Sequence, residues 1–317
     1  MRLAVREVLQ LSERCFSAAG LPEGSARAAA EAVWWNELYR GSGVTTLQDL
    51  LPALSEWDRT ALTTSDRTDF VWVVDGSTQP SLVASTPAVD LACAGASHHG
   101  VGLVHARTAS ADETVPMLGY AAYAAAERGL LSVVLATGGT GRPRTVIARP
   151  NDPHPLVAER ELDTASAAHA ALSAVIRRGV CDRQDNPLTQ AFFTGAPESE
   201  YATAGERLLN RLLGQSVTPS DPESHLDSGF VLLCLDPDHA RHSGDLRCVV
   251  DRFVDERGAE LTRTFRPSEV SDRVGTALAE GVAVEEAVWQ DVFDRSSEVL
   301  APEFEGSYRG AGFEINE

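Results

Sequence analysis

The sequence predicts an α/β fold in which helical parts at both ends of the chain surround a central layer of strands and helices. Three observations predict it. Apolar residues recur at helical spacing through the first 57 residues, strand-like and helical runs alternate from residue 70 to residue 148, and two more helices fall within residues 269–294. A single hydrophobic core stops growing at about 250 to 300 residues, so we expect two lobes.

The N-terminal part is expected to hold three helices. The first is apolar on one face and ends at Gly20, because Gly and Pro stop a helix. The second runs from an N-cap at Ser25 to Tyr39, and the third covers about residues 46–57. Trp34 and Trp35 are adjacent in the second helix, so at least one ring is expected to face the core or an interface.

The central part is expected to alternate between strands and helices. Strands are predicted at residues 70–74, 81–84, 101–105, 130–136, 145–148 and 229–235. Helices are predicted at residues 87–94, 114–128, 163–178 and 200–214, with an amphipathic segment at 247–257. The predicted divisions are an N-terminal helical part (1–66), a central α/β domain (67–240), a C-terminal part packing with the N-terminal helices (241–301) and a polar glycine-rich tail (302–317).

Charge and composition exclude several classes of function. The chain has 46 acidic and 27 basic residues and a net charge of -19, which repels nucleic acid and anionic membranes. No lysine occurs, so lysine Schiff-base chemistry is excluded. The arginine bias indicates a high-GC genome such as that of an actinomycete, and the acidic surface leaves a halophile as the alternative.

Cysteine usage and hydropathy indicate an intracellular protein. The five cysteines include no CxxC pair, so neither a disulfide framework nor a zinc ribbon is indicated, and reduced cytoplasmic thiols are expected. No apolar run approaches the 18 to 20 residues or so that a membrane span needs.

Several phrases, in this order and spacing, resemble the malate/L-lactate dehydrogenase family, which is unrelated to the Rossmann dehydrogenases. They occupy residues 7–44, 98–110, 118–136, 185–198, 228–238 and 266–292. The resemblance implies a malate/L-lactate dehydrogenase-like α/β fold with a mixed sheet and NAD or NADP as cofactor. Residues 287–317 also resemble the close of an uncharacterised bacterial domain family, which indicates a divergent branch.

The sequence departs from that family at its catalytic positions. Ser42 stands where the family has a histidine, and ASADETV replaces the Asn-His-Phe-Gly expected after Arg107. The family's Leu-Gly-Thr-Asn-Pro loop is not recognisable between Thr137 and Leu156, and its Lys-Gly is absent. Hydride transfer therefore does not follow from the resemblance.

Candidate catalytic residues fall at three places. His98 and His99 precede a strand, where they are either acid/base groups or ordinary loop histidines, and adjacent side chains of an extended chain point to opposite faces. Asp112 and Glu113 occupy the segment of the family's catalytic histidine, where a carboxylate could accept a proton from an ammonium nucleophile; the alternative is a solvated loop. Ser42 is the third candidate, by its position in the resemblance.

Candidate substrate-binding residues cluster after the strand at 130–136. Gly138, Gly139, Arg142 and Arg144 can form an anion site, since backbone N–H groups converge at glycines and arginines bind oxyanions bidentately; a plain glycine turn is the alternative. Further candidates are Arg107, and Tyr308 and Arg309 of the tail, which would fold over a site or a partner. No metal site is predicted, and His239 and His242 are assigned to a solvated turn.

Three functions remain open. The first is a cofactor-independent biosynthetic enzyme or enzyme subunit of specialised metabolism, for example antibiotic biosynthesis. It would close an aziridine ring by amine displacement of sulfate from a carrier-bound amino acid, as in azinomycin and vazabitide assembly. The second is an NAD(P)H-dependent oxidoreductase of a 2-oxo acid or cyclic imine. The third is a non-catalytic partner of an active homologue. A homodimer or heterodimer is expected, as in the resembled family.

Overall fold

The computed structural model describes residues 1–55, 58, 61–68, 71–76, 79–109, 117–137, 144–161, 229–238 and 261–297. The helices are α1 (Val5–Ala18), α2 (Glu23–Arg40), α3 (Gly43–Ser55), α4 (Ser81–His99), α5 (Gly119–Glu127), α6 (Pro267–Glu280) and α7 (Glu286–Ser297). The strands are β1 (Arg2–Leu3), β2 (Thr63–Thr68), β3 (Val71–Gly76), β4 (Val101–Thr108), β5 (Leu131–Thr137), β6 (Arg144–Arg149), β7 (Leu156–Glu161), β8 (Gly229–Leu235), β9 (Leu261–Phe265) and β10 (Val282–Ala283).

Eight of these strands form one mixed sheet in the order β2-β3-β4-β8-β5-β6-β7-β9. β3 and β4 are parallel and joined through α4, whereas every other described pair is antiparallel. The central strands are mostly apolar, and side chains on both of their faces are buried. The predicted α/β fold, with helices around a mixed sheet, is confirmed.

One face of the sheet packs against α2, α4 and α5. Alternate residues of each central strand meet these helices, among them Val104 and Ala106 on β4 and Val134 and Ala136 on β5. The helices approach closely because their contact faces are rich in alanine. Trp35 is 2% exposed and stacks on Tyr39 within this core, while Trp34 is only partly buried. At least one tryptophan ring of the pair therefore faces the core, as expected.

A second apolar cluster joins the two ends of the described chain. α7 packs on α1 and α3, and the thiol of Cys15 on α1 donates to Val292 O at 3.3 Å. β1 pairs antiparallel with β10, and the N-terminal ammonium of Met1 donates to Val284 O at 2.8 Å. The two helices expected within residues 269–294 are present on either side of Gly281, which takes a positive φ of 76°.

Several element predictions are wrong in detail. Residues 81–84, predicted as a strand, form the first turn of α4, which begins after Pro80 as N-cap and continues past Pro87. Short apolar runs do not distinguish a buried strand from a buried helix, which explains the error. α2 begins directly after Pro22 rather than at Ser25. β2 and β9 belong to the sheet, although they were predicted within helical parts of the chain.

Among the described helices, none combines the length and apolar character needed to cross a bilayer. The predicted elements at 163–178, 200–214 and 247–257, and the tail, lie outside the described residues.

Candidate functional site

Strand register brings several polar residues to one edge of the sheet. Arg107 on β4 lies opposite Asp75 on β3 and opposite Gly229 on β8, and Gly229 in turn lies opposite Thr137 on β5. β3, β4 and β5 all end at this edge, which we call the C-terminal edge. Ligands of α/β proteins often bind where parallel strands end, because helix N-termini and loops meet there.

Arg107 lies at this edge, and its contacts leave guanidinium N–H groups available to a ligand. Its Nη1 lies 3.8 Å from Asp75 Oδ2, an ion-pair distance that is too long for a hydrogen bond. The side chains are 31% and 43% exposed, and Arg107 Nε is buried without an acceptor among the described residues. A guanidinium placed in this way can bind a planar oxyanion such as a carboxylate.

The N-terminus of α4 lies at the same edge. Ser81, its first residue, hydrogen-bonds Thr108 at the end of β4, with an Oγ–Oγ1 distance of 2.9 Å. Gln79 N donates to Gly76 O at 2.7 Å, and Ala109 N donates to Gln79 O at 2.9 Å. A helix N-terminus carries a partial positive charge. α4, however, packs on the face of the sheet that Ala106 meets, whereas Arg107 alternates with Ala106 and faces the other way, so Arg107 and the start of α4 do not converge on one ligand.

Arg144 lies at the C-terminal edge but on the other face of the sheet. Arg144 is the first residue of β6 and lies opposite Ala136 on β5 and Glu161 on β7. The Ala136 side chain is in the core beneath the helices. Arg107 alternates on β4 with Ala106, whose side chain is in the same core, so Arg107 faces the other way. Three strand spacings of about 4.8 Å also separate β4 from β6. The two arginines therefore do not form one fork.

Ser42 is placed as a helix cap. It precedes Gly43, the first residue of α3, and its carbonyl accepts from Thr46 N at 2.9 Å and from Thr46 Oγ1 at 2.7 Å. The buried Asn36 side chain donates to Ser42 Oγ at 3.5 Å and to Thr46 Oγ1 at 3.3 Å. These contacts belong to the start of α3, and a catalytic role for Ser42 stays a prediction.

His98 and His99 lie away from the C-terminal edge. They end α4, and Gly100, at a positive φ of 80°, connects them to the first residue of β4. The expectation of opposite-facing side chains on an extended chain is wrong, because both residues are helical. Six residues of strand separate the start of β4 from Arg107, about 20 Å, so a small group bound by Arg107 is beyond the reach of either imidazole.

The other candidate residues lie outside the described residues. They are Asp112, Glu113, Gly138, Gly139, Arg142, Tyr308 and Arg309. The chain leading to Asp112 and Glu113 is described as far as Ala109, which is bonded to Gln79 at the C-terminal edge. Within the described ranges, no group of three or more His, Cys, Asp or Glu side chains is arranged to hold a metal ion.

Sequence reasoning missed Asp75, Ser81 and Thr108 at this edge. Asp75 and Gly76 follow the apolar run of β3, and a polar residue directly after such a run is a signal for a strand end. Ser81 was missed because its segment was predicted as a strand, and its contact with Thr108 depends on the β3-α4-β4 crossover.

Comparison with solved structures defines the fold. A dehydrogenase from Sinorhizobium meliloti is 21% identical, with a TM-score of 0.59 over 93% of this chain and 99% of that chain. A malate dehydrogenase from Entamoeba histolytica is 13% identical, with a TM-score of 0.60 over 95% and 99%. A delta1-piperideine-2-carboxylate reductase from Pseudomonas syringae is 16% identical, with a TM-score of 0.53 over 93% and 99%.

The protein therefore has the malate/lactate dehydrogenase-like fold across nearly its whole length. No protein-family model matches the chain. No curated protein matches it significantly either. At these identities the likeness is one of fold, and the activity has to be argued from the residues at the C-terminal edge.

Proposed function

We propose that this protein is an NAD(P)H-dependent oxidoreductase whose substrate is a small carboxylate-bearing 2-oxo acid or cyclic imine. The observation that carries the proposal is Arg107, a partly exposed guanidinium at the C-terminal edge whose Nε has no acceptor among the described residues. The solved structures of this fold support it, since the three compared above are described as dehydrogenases or a reductase.

The described residues fit an anionic ligand. Arg107 would bind and orient a carboxylate, while Asp75, 3.8 Å away, holds the guanidinium in place. The guanidinium fits a substrate carboxylate or a dinucleotide phosphate equally well, and NAD(P)H, when bound, supplies the hydride. Reduction of the substrate also requires a proton. We assign its donation to Asp112 or Glu113, because the segment that follows β4 contains both.

Nicotinamide binding is the first test. NADH and NADPH are titrated into the protein, and energy transfer from its tryptophans and the melting temperature are recorded. The proposal predicts saturable transfer and a melting rise that grows with nucleotide concentration, because a ligand that binds only the folded state stabilises it. If neither nucleotide binds, the redox proposal fails.

The second test measures whether Arg107 itself binds the substrate carboxylate. Oxidation of the bound nucleotide is followed with pyruvate, oxaloacetate and delta1-piperideine-2-carboxylate as probes. A charge-assisted bidentate contact is worth about 1.5 to 3 kcal/mol, so Arg107→Ala should reduce kcat/KM roughly tenfold to a hundredfold. Arg107→Lys should recover little, because an ammonium lacks the planar fork.

Arg144→Ala and Arg149→Ala complete this series. Arg149 ends the same strand that Arg144 begins, so it serves as the control at the opposite edge. A loss in Arg144→Ala comparable with that in Arg107→Ala, with Arg149→Ala unaffected, supports the predicted glycine-arginine anion site. Full activity in Arg107→Ala contradicts the assignment of the substrate carboxylate to Arg107.

A second candidate, ring closure by displacement, is supported by the residue at the family's histidine position. Neither described imidazole of α4 reaches the C-terminal edge, and the family's histidine position holds Ser42, whose contacts are those of a helix cap. Ring closure by displacement needs no hydride. The amine nitrogen bonds to the carbon that bears sulfate, the C–O bond breaks, sulfate leaves, and a carboxylate takes the proton.

In that case Arg107 would stabilise the departing sulfate, and a carrier-bound amino acid would be the substrate. Absence of nicotinamide binding, with sulfate release from a carrier-bound β-sulfated amine, would select this function. If the protein neither binds a nicotinamide nucleotide nor releases sulfate, the role of a non-catalytic partner of an active homologue is favoured.

A further inference from the structure

Two cysteine thiols meet between α4 and the sheet. Cys93 of α4 and Cys234 of β8 are hydrogen-bonded to each other through their side chains, and both are free thiols within one apolar cluster. The pair lies near the beginning of β4, at the edge of the sheet opposite Arg107.

Close packing of α4 on β4 brings the two thiols together. Gly102 is the cross-strand partner of Cys234, and a Cβ atom at Gly102 would lie only 1.9 Å from Ala92 O. The α4 backbone therefore lies directly on Gly102, and the residue after Ala92 can reach across to β8. A side chain at position 102 would keep Cys93 away from Cys234.

Two charged groups flank Cys93. The Arg128 guanidinium at the end of α5 hydrogen-bonds the Cys93 thiol, and its Nη1 lies 3.0 Å from Asp90 Oδ1, one helical turn before Cys93. Arg128 is half-exposed, so Cys93, 7% exposed, lies at the border of solvent, whereas Cys234 is fully buried.

The same contacts make the two thiols chemically unequal. The hydrogen bond from Cys234 and the contact with Arg128 lower the pKa of Cys93 despite its burial. Burial raises the pKa of Cys234. A thiolate is the nucleophilic form of cysteine, so Cys93 is the better nucleophile of the two.

We infer that Cys93 and Cys234 form an oxidant-reactive modification site, at which hydrogen peroxide oxidises Cys93 and Cys234 then closes a disulfide between α4 and β8. In the first step the Cys93 thiolate attacks the peroxide, the O–O bond breaks, a sulfenic acid forms and hydroxide leaves. In the second step the Cys234 sulfur bonds to the Cys93 sulfur, the S–O bond breaks, and the leaving hydroxide takes the thiol proton as water. Two thiols and one peroxide become one disulfide and two waters.

Product analysis on the full chain is the first test. Treatment with hydrogen peroxide should lower the mass by two hydrogen atoms, and peptide mapping should find Cys93 linked to Cys234. In Cys234→Ser, dimedone should trap a sulfenic acid at Cys93. Cys15→Ser is the control, since Cys15 is also buried but donates to a backbone carbonyl, and it should still form the disulfide. A disulfide between other cysteines, or dimedone labelling elsewhere only, overturns the inference.

Rates provide the second test, with variants that leave the core intact. Arg128→Gln should slow the peroxide reaction at pH 7 by about threefold to tenfold, because each pKa unit changes the thiolate fraction about tenfold. Asp90→Asn should not slow it, because the Asp90 carboxylate raises the pKa of Cys93. An unchanged rate in Arg128→Gln, or slowing in Asp90→Asn, contradicts the role given to these charges. The inference is independent of the proposed nicotinamide chemistry.

Discussion

Glu37 is a buried carboxylate beside the N-terminus of α3. Val44 N donates to its Oε2 at 3.0 Å. Burial raises the pKa of Glu37 above its ordinary value of 4.5, and the N–H groups of Val44 and Gly43 oppose that rise. The folded chain therefore binds the Glu37 proton more tightly than the unfolded chain does. The contribution of Glu37 to stability is fully present below pH 4.5 and is lost as pH rises through the folded-state pKa.

Glu37→Gln should remove this titration while keeping an oxygen acceptor for α3. We expect the free energy of unfolding to fall less between pH 4.5 and pH 7 in the variant than in the unaltered protein. Urea unfolding at a series of pH values measures the difference. The exposed Glu286→Gln controls for the loss of one negative charge, and parallel pH curves for Glu37→Gln and the unaltered protein would contradict the argument.

At the scale of elements, a buried ion pair ties α2 to the sheet. Arg40, the last residue of α2, pairs with Glu159 on β7, and their side chains are 14% and 7% exposed. Gly119 makes room for this contact, because a Cβ there would lie 3.2 Å from Glu159 Oε1 and 2.3 Å from the Trp35 ring. Breaking a buried pair leaves one charge without its partner, which costs about 3 to 5 kcal/mol.

Glu159→Ala should therefore lower the free energy of unfolding by roughly 3 kcal/mol. Glu269→Ala, which breaks the half-exposed pair with Arg273, should cost less than about 1 kcal/mol. The double variant Arg40→Met with Glu159→Leu should recover most of the loss, because it removes both charges. Urea denaturation tests all three, and equal losses in the two single variants would contradict a special role for the buried pair.

Contact between α4 and β4 depends on glycine at position 102. Gly102→Ala places a methyl group against Ala92 O, so we expect destabilisation of about 1 to 3 kcal/mol and a lower melting temperature. Gly275→Ala is the matched control, since nothing lies within 4 Å of a Cβ in the middle of α6. Helix propensity predicts that Gly275→Ala stabilises by about 0.5 to 1 kcal/mol. The free energy of unfolding should therefore fall in Gly102→Ala and rise in Gly275→Ala. A rise in both variants would show that the structure around Gly102 adjusts to the added methyl group without cost.

At the scale of the whole molecule, we predict an obligate dimer. Of the tryptophans in the N-terminal part, Trp35 is in the core, Trp34 is only partly buried, and Trp57 lies outside the described residues. The described surface offers Leu278 of α6, 68% exposed, and Phe293 of α7, 43% exposed, as large apolar groups. Exposed apolar area of this kind is typical of interfaces.

Light scattering at micromolar concentration measures the assembly directly. A mass of twice 33.9 kDa is expected, whether the partner is a second copy or, on coexpression, a homologous chain. If α6 and α7 form the contact, Leu278→Glu with Phe293→Glu should yield a monomer. A well-behaved monomer of the unaltered protein would refute the prediction.

Part of this fold could be predicted from the sequence, because its signals are local. The apolar runs of β4, β5 and β8 and the helical periodicity on either side of Gly281 need no knowledge of neighbouring segments. β2, β7 and β9 lack such runs, since they alternate with polar residues such as Glu159 and Arg263, whose partners lie elsewhere in the chain. Their place in the sheet depends on long-range pairing.

The sequence by itself determined the α/β class, the acidic surface, the absence of lysine chemistry and Arg107 as a candidate for binding an anion. Only the tertiary structure decided which residues share a site. Parallel pairing of β3 with β4 brings Asp75 and Arg107 together at one edge, and the crossover through α4 leaves His98 and His99 at the other. Strand order and register arise from pairings between distant segments, which a local pattern of residues does not encode.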